Sequence, residues 1–331
     1  MSGFDSEEVL TFAINIAKQA GTIIRDGSAK RIDDQNQGKV DVEELIKKNT
    51  ADLVTETDQK TEKFILDAIK KRFPTHKFIG EESWAAGQQN TLTDEPHWIV
   101  DPIDGTNGFV HNFVMCCVSI GVTFQSRPIV GVVYAPFLNT LYYARTGAGA
   151  FIESPAYGER QLPLAKPMPL PSLKQALLAI EYGSDRGPGV LDKKMESFKR
   201  LIGDEDAGIK GGQMVQGVRS IGSAALSCCY VAQGTFDLWH EVGCWSWDVC
   251  AGAVIIQEAG GVVVGAKEPT LKSLTTESFG EITPEVLQGR KYLVIRGVGD
   301  SKSEKGLDAQ KRIIKTFYET IDEWTQNEMN Y

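Results

Sequence analysis

The stretch "WIVDPIDGTNGF", residues 98–109, sets Asp101 and Asp104 three residues apart where a short apolar run meets a turn. Asp before Pro and Gly after Asp are common turn chemistry, so a capped turn accounts for the pair. A cation held between two carboxylates beside buried hydrophobes accounts for it equally well. The rest of the chain has to separate these readings.

The chain has 331 residues, a net charge of -9 and an apolar fraction of 42%. That is enough for a large core and too apolar for global disorder. The acidic balance, with no basic stripe, argues against a nucleic-acid partner. No N-terminal run resembles a signal peptide and no stretch is long enough to span a bilayer, so the expectation is a cytoplasmic protein with no membrane partner. Of six Cys, Cys116–Cys117 and Cys228–Cys229 are adjacent pairs in apolar runs, with no CxxC. They read as buried free thiols in a reducing compartment, not as a zinc site.

Helical spacing marks residues 6–25, with Asp5 and Glu8 as a capping pair, and again about 59–71. The tract from Gly27 to Gly38 reads as loop. Short apolar runs at 76–79, 98–100, 118–124, 129–135, 140–145 and 150–153 read as strands, and after Val114 their spacing is too short for crossovers, so they should be largely antiparallel. A second half alternates strands at 175–180, 261–265 and 292–296 with helices at 190–201, 223–232, 248–259 and 307–324. The expected class is layered α+β, with residues 1–170 carrying most of the acidic motifs and 171–331 carrying Asp248, packed as one compact unit.

Other acids also stand at the edges of apolar segments. Glu81 and Glu82 follow "HKFIG", Asp58 ends "ADLVTETD", and Asp248 follows "CWSW". Asp58 and Asp248 read equally as N-caps, and the glutamates as surface turn residues. Carboxylates that converge repel and drive one another to hold protons, unless a hard divalent cation resolves the conflict. An all-oxygen set suits Mg²⁺ or Mn²⁺ better than Zn²⁺. Thr106 is a turn-closing residue on one reading and a hydroxyl facing the same site on the other, with Gly105 allowing the backbone to approach an anion.

Four motifs in order, "DLVTETD" (52–58), "IGEES" (79–83), "WIVDPIDGTNGFVHNF" (98–113) and "WDVCAGAVIIQEAGG" (247–261), resemble the inositol monophosphatase family of Mg²⁺-dependent, lithium-sensitive phosphatases. The resemblance covers roughly residues 5–300 and implies a layered αβαβα sandwich of the inositol monophosphatase and fructose bisphosphatase type, usually a homodimer. It implies two or three Mg²⁺ ions per site, with Mn²⁺ as a substitute. Glu81, Asp101 and the carbonyl of Ile103 resemble ligands of the first metal. Asp101, Asp104 and Asp248 resemble those of the second, and a third, weaker ion lies near Glu81. Thr106 and Asp58 resemble the pair that positions the nucleophilic water.

The resemblance also implies substrate contacts at Gly105, Thr106, Ser184, Gly222, Ser223, Ala224 and Glu241, with Lys47 as a mobile lysine near the first metal. The chain departs from the family pattern at Asn107-Gly108. It also departs in the tract 204–217, the segment 266–291 and the helix after Gly306, which look longer than in a minimal member and resemble fungal relatives associated with quinate use. The implied activity is hydrolysis of inositol monophosphate, a phosphorylated polyol, by an activated water. The alternatives are a phosphatase of the same superfamily acting on 3'-phosphoadenosine 5'-phosphate, fructose 1,6-bisphosphate or histidinol phosphate, and a non-catalytic phosphate-metabolite sensor.

Overall fold

The computed structural model describes residues 4–39, 55–88 and 91–324. By compactness the chain divides into two units. The first comprises Met1–Gln161, Gly222–Cys229 and Ser246–Glu258, and the second comprises Leu162–Ile221, Tyr230–Trp245 and Ala259–Tyr331. No helix of the described residues is long and apolar enough to cross a membrane.

The first unit holds a seven-stranded sheet in sequence order: β1 (Lys77–Gly80), β2 (His97–Asp104), β3 (Cys117–Phe124), β4 (Arg127–Ala135), β5 (Thr140–Arg145), β6 (Ala150–Ser154) and β7 (Gly158–Gln161). β1 runs parallel to β2, and the remaining pairings are antiparallel, as the short connections require. Helices α1 (Ser6–Asn36) and α2 (Glu56–Arg72) share a core with one face of this sheet, where Ile16, Ile24 and Ile65 join Val130, Val132 and Tyr134. Each fully buried isoleucine contributes about 1.5–3 kcal/mol. An exposed pair such as Lys63–Asp67, at 2.6 Å, contributes a few tenths, so packing holds the helices in place.

Two expectations change here. The tract after Gly27 is helical up to Asn36, because Gly27 serves as a contact and not as a stop: a Cβ there would lie 2.4 Å from Thr57 Oγ1. The second helix starts at Glu56, so Asp58 lies inside its first turn, with Thr55 as the N-cap.

The other face of the sheet receives a helix from late in the chain. Following the short helices α3 (Glu81–Ala85) and α4 (Thr106–Val110), and then α5 (Pro188–Ile202) and α6 (Ala224–Gln233), helix α7 (Ser246–Glu258) packs across β2 to β6. It is buried from Val249 to Ile256, so its sequence is apolar all round and shows no amphipathic stripe. Its seat is a glycine groove. A Cβ on Gly121 would lie 2.4 Å from Cys250 Sγ, and one on Gly131 would lie 2.2 Å from the Ala251 carbonyl oxygen. Asp248 therefore sits on an element of the first unit, whereas the sequence reading groups it with the C-terminal half.

The second unit holds β8 (Leu177–Ile180), β9 (Gly217–Arg219), β10 (Leu238–Val242), β11 (Val262–Val264) and β12 (Lys291–Ile295), in the order β11-β12-β10-β8-β9. Two short helices, α8 (Lys267–Ser273) and α9 (Pro284–Leu287), lie between β11 and β12 in the chain. The last helix, α10 (Gly306–Thr320), places Ile313, Ile314 and Phe317 in a core with Leu178, Leu238 and Leu293. The six cysteines are buried and free.

Gly131→Ala should destabilise the first unit by about 1–3 kcal/mol through overpacking against α7. Gly189→Ala in α5, where a Cβ meets nothing within 4 Å, should change stability by less than about 1 kcal/mol. Urea midpoints of the two variants would check the contrast.

His240 in β10 accounts for a pH dependence. Burial holds it down to about 4, and its Nδ1 lies 2.9 Å from the Tyr292 carbonyl oxygen. The unfolded chain takes up this proton near pH 6.5. The stability from burying the neutral ring is therefore complete above that pH and is lost as pH falls toward 4, by an amount on the order of 3 kcal/mol. His240→Gln should flatten that slope relative to wild type, as read by unfolding midpoints at pH 7 and 4.5.

Candidate active site

The two aspartates of the DPID run end β2. Residues three apart in a regular strand point to opposite faces. Here Asp101 pairs with Ser119 and Asp104 with Cys117, so β2 carries one extra residue between them. That bulge returns Asp104 to the side of Asp101. A bulged strand end, instead of a simple turn, brings the carboxylates together. The Ile103 N–H donates to Asp101 Oδ1 at 2.9 Å inside the bulge.

Asp248 comes from the first turn of α7, which the glycine groove fixes against β3 and β4. The Trp247 carbonyl accepts the Ser119 hydroxyl at 3.0 Å, which locks the start of that helix to β3. Asp101, Asp104 and Asp248 each offer a carboxylate oxygen, and these oxygens lie within 4.8 Å of one another.

Burial pushes the Asp101 carboxyl well above the usual carboxylate range, and the charges of Glu81, Asp104 and Asp248 push it further. Asp104 is raised to about 6, again mainly by burial, against the pull of donors from Ser223, Ala225 and Ala224. The Ser223 hydroxyl reaches Asp104 Oδ2 at 2.5 Å and the Ala225 N–H reaches it at 2.7 Å. Cys117 Sγ lies 3.8 Å from the same oxygen, but burial holds its thiol far above its ordinary value, so it is a neutral donor and not a thiolate. Converging oxygens that repel one another fit a hard divalent cation.

A second acid arrangement adjoins the first. Asp58 is fully buried and occupies the third position of α2, where its Oδ2 accepts the Thr55 N–H at 2.9 Å and also the Thr55 hydroxyl. Its Oδ1 lies 3.1 Å from Thr106 Oγ1, and the Ile103 carbonyl lies 3.0 Å from that same hydroxyl. The peptide of Ile103 thus joins the Asp58–Thr106 pair to Asp101. Gly105 makes the connection possible. Its φ is +93°, and a Cβ there would lie 2.9 Å from the Met115 carbonyl and 3.0 Å from the Gly222 carbonyl.

Gly222, Ser223 and Ala224 are therefore at the acidic centre. Ser223 contacts a carboxylate directly and also accepts the Leu226 N–H at 3.2 Å, capping α6. Glu81 opens α3, half-buried, and its charge acts on Asp101. Ser184 and Glu241 belong to the second unit. Ser184 lies in a loop held by Lys194, whose Nζ donates to the carbonyls of Tyr182 and Asp185 at 2.6 Å each, and Glu241 lies on β10. Lys47 lies outside the described residues. Asn107 and Gly108 fall in α4, and Gly108 has ordinary helical space around it: a Cβ there would lie 3.5 Å from the Met115 carbonyl oxygen, its nearest neighbour. Sequence reading misses Glu62, an acid that is 3% exposed, one turn beyond Asp58 on the same face of α2. Its i,i+4 spacing from Asp58 is the available signal.

Comparison with known proteins adds to this geometry. The model of the inositol monophosphatase family matches residues 5–319. Protein qutG of Emericella nidulans is 40% identical over 326 residues, covering 95% of this chain and 93% of that protein. Inositol monophosphatase 2 of Saccharomyces cerevisiae is 40% identical over 262 residues, covering 78% of this chain and 81% of that protein. Among solved structures, inositol monophosphatase-II of Staphylococcus aureus MSSA476 superposes with a TM-score of 0.65 at 26% identity, covering 94% of this chain and 95% of that one. The layered α/β architecture is that of these structures. With its acidic motifs converging in the first unit and the family model matched from end to end of the described fold, the chain belongs to the inositol monophosphatase family.

Proposed function

We propose that this protein is a Mg²⁺-dependent phosphomonoesterase that hydrolyses inositol monophosphate to inositol and phosphate, as a lithium-sensitive homodimer. The observation that carries the reading is the pairing of buried Asp58 with Thr106, joined through Ile103 to the Asp101, Asp104 and Asp248 cluster. A binding-only descendant has no use for that pair.

Glu81, Asp101, Asp104, Asp248 and the carbonyl of Ile103 are the proposed metal ligands. Mg²⁺ bound there supplies neutralisation of phosphate charge and of the charge that develops on the leaving oxygen. The chain itself handles the proton. The Thr106 hydroxyl has one hydrogen and two acceptors, Asp58 Oδ1 and the Ile103 carbonyl, so its remaining lone pairs are available to orient a water. As that water's oxygen bonds to phosphorus and the P–O ester bond breaks, the water's proton passes toward Thr106 and Asp58, and the leaving alkoxide takes a proton from solvent. No nucleophilic side chain is consumed. Gly105 and Thr106 are proposed to face the phosphate, Gly222, Ser223 and Ala224 to close over the ring, and Glu241 to accept its hydroxyls, with Ser184 on a loop near the substrate.

A second reading concerns only the substrate. The likeness to qutG extends over 95% of the chain, whereas that to the yeast inositol monophosphatase covers 78%. A related small phosphate ester is the alternative substrate.

Phosphate release from inositol 1-phosphate, titrated with Mg²⁺ and repeated with lithium, tests the proposal. Fructose 1,6-bisphosphate, histidinol phosphate and 3'-phosphoadenosine 5'-phosphate complete the panel. Mg²⁺-dependent release from the inositol ester that lithium suppresses is the expected outcome. Release from another panel member alone would overturn the substrate, and silence of the folded protein across the panel would overturn the enzyme. Asp104→Asn should lower turnover by roughly 100-fold or more with the fold retained, and undiminished turnover would sink its assignment.

Metal binding should also depend on pH. Asp104 titrates near 6 and Asp101 is raised, so protons must leave before a cation binds. Mg²⁺ affinity, by calorimetry in two buffers of different ionisation heat, should rise from pH 5.5 to 7.5 with proton release. An affinity independent of pH would contradict the assignment.

A further inference from the structure

Glu62 has a partner set that no step above uses. Its Oε2 accepts the Glu82 N–H at 2.7 Å, and its Oε1 accepts the Ser83 N–H at 2.7 Å and the Ser83 hydroxyl as well. Both oxygens are thus bound to the two residues that follow Glu81. Gly80 makes room for this, since a Cβ there would lie 2.6 Å from the Glu62 carboxyl. Later in α3, the Trp84 ring centroid lies 6.0 Å from that of Trp247, the neighbour of Asp248. A short, half-exposed helix is therefore held through the N–H groups of the two residues after Glu81. The fastening residue belongs to the same face of α2 as Asp58.

We propose that Glu62 is a positioning residue for the metal centre. By anchoring the N–H groups of Glu82 and Ser83, it fixes the backbone that presents Glu81 and sets the Glu81 carboxylate relative to Asp101. Through α2 it also ties that position to Asp58, so one rigid helix spaces the acid that serves Thr106 from the acid that completes the metal set. This rests on the proposed role of Glu81 as a metal ligand. Outer residues that orient metal ligands typically govern affinity by about 10–100-fold.

Mn²⁺ binding followed by the loss of the free-ion paramagnetic signal tests this in wild type, Glu62→Gln, Glu81→Gln and the double variant. Glutamine keeps the shape but turns an amide donor toward one of the two N–H groups. Glu62→Gln should weaken Mn²⁺ binding about 10-fold or more. It should add little in the Glu81→Gln background, because the two residues act on one ligand. Its kcat should recover at saturating Mg²⁺ while the Mg²⁺ requirement stays raised. A lowered melting temperature with unchanged Mn²⁺ affinity, or a full additional loss in the double variant, would overturn the proposal. Unchanged binding in Glu81→Gln would instead remove Glu81 from the metal set, and the proposal with it. Should Glu62→Gln fail to fold, Ser83→Ala decides, with a weakening of about 3-fold that vanishes in the Glu81→Gln background as the supporting result and no change as the opposing one.

Discussion

Like charge gathered out of water is the constraint on which the first unit depends. Two charged carboxylates with oxygens within 4.8 Å of each other repel by roughly 3 kcal/mol or more at an effective dielectric of about 20, and three make three such pairs. No hydrophobic drive brings such groups together. They converge because each is carried there by an element buried for other reasons: β2 by its place inside the sheet, α7 by its seat on β3 and β4, and α2 by its core face. The scaffold imposes the repulsion, and a cation or a proton has to relieve it.

That burden explains where small residues are needed. Gly121 and Gly131 let α7 approach the sheet closely enough to deliver Asp248, Gly105 turns the chain back after Asp104, and Gly80 admits Glu62 beneath α3. Each is a point where a methyl group would push an acid away from its neighbours. Donors are distributed by the same logic. Asp104 receives the Ser223 hydroxyl and the Ala225 N–H, and Asp58 receives the Thr55 N–H. On Asp104 these bonds oppose the rise that burial imposes.

Much of this is legible in the sequence because the local signals and the fold agree. Alternating apolar runs separated by Gly, Asn and Pro mark the meander from Cys117 to Ser154, and adjacent apolar cysteines read correctly as buried thiols. What is not legible depends on partners distant in sequence. Gly27 looks like a helix stop until Thr57 is seen against it. β10 escapes notice because His240 and Glu241 break its apolar pattern, although the sheet pairs it on both sides. Asp58 looks like a cap because the true cap, Thr55, stands three residues earlier and bonds to it reciprocally. Family likeness sets Ser223 over a substrate ring, and its hydroxyl is bonded to Asp104. Glu62 resembles any helix-surface acid until Glu82 and Ser83 are found at its oxygens.

The acids also differ in what would happen to them without a cation. The Asp248 carboxyl beside Asp101 adds to the burial that raises Asp101's affinity for a proton. Burial and the neighbouring acids raise Asp101's affinity for a proton against the Ile103 N–H, whereas Asp104 has the Ser223 hydroxyl and the N–H groups of Ala224 and Ala225 to oppose the rise. Of these two acids, Asp101 therefore holds a proton the more strongly and Asp104 is the more nearly ionised. Asp104 gives up its proton at the lower pH, and Asp101 would have to lose its own before it could serve as a metal ligand. A proton on Asp101 lowers the repulsion within the cluster, as a cation bound there would.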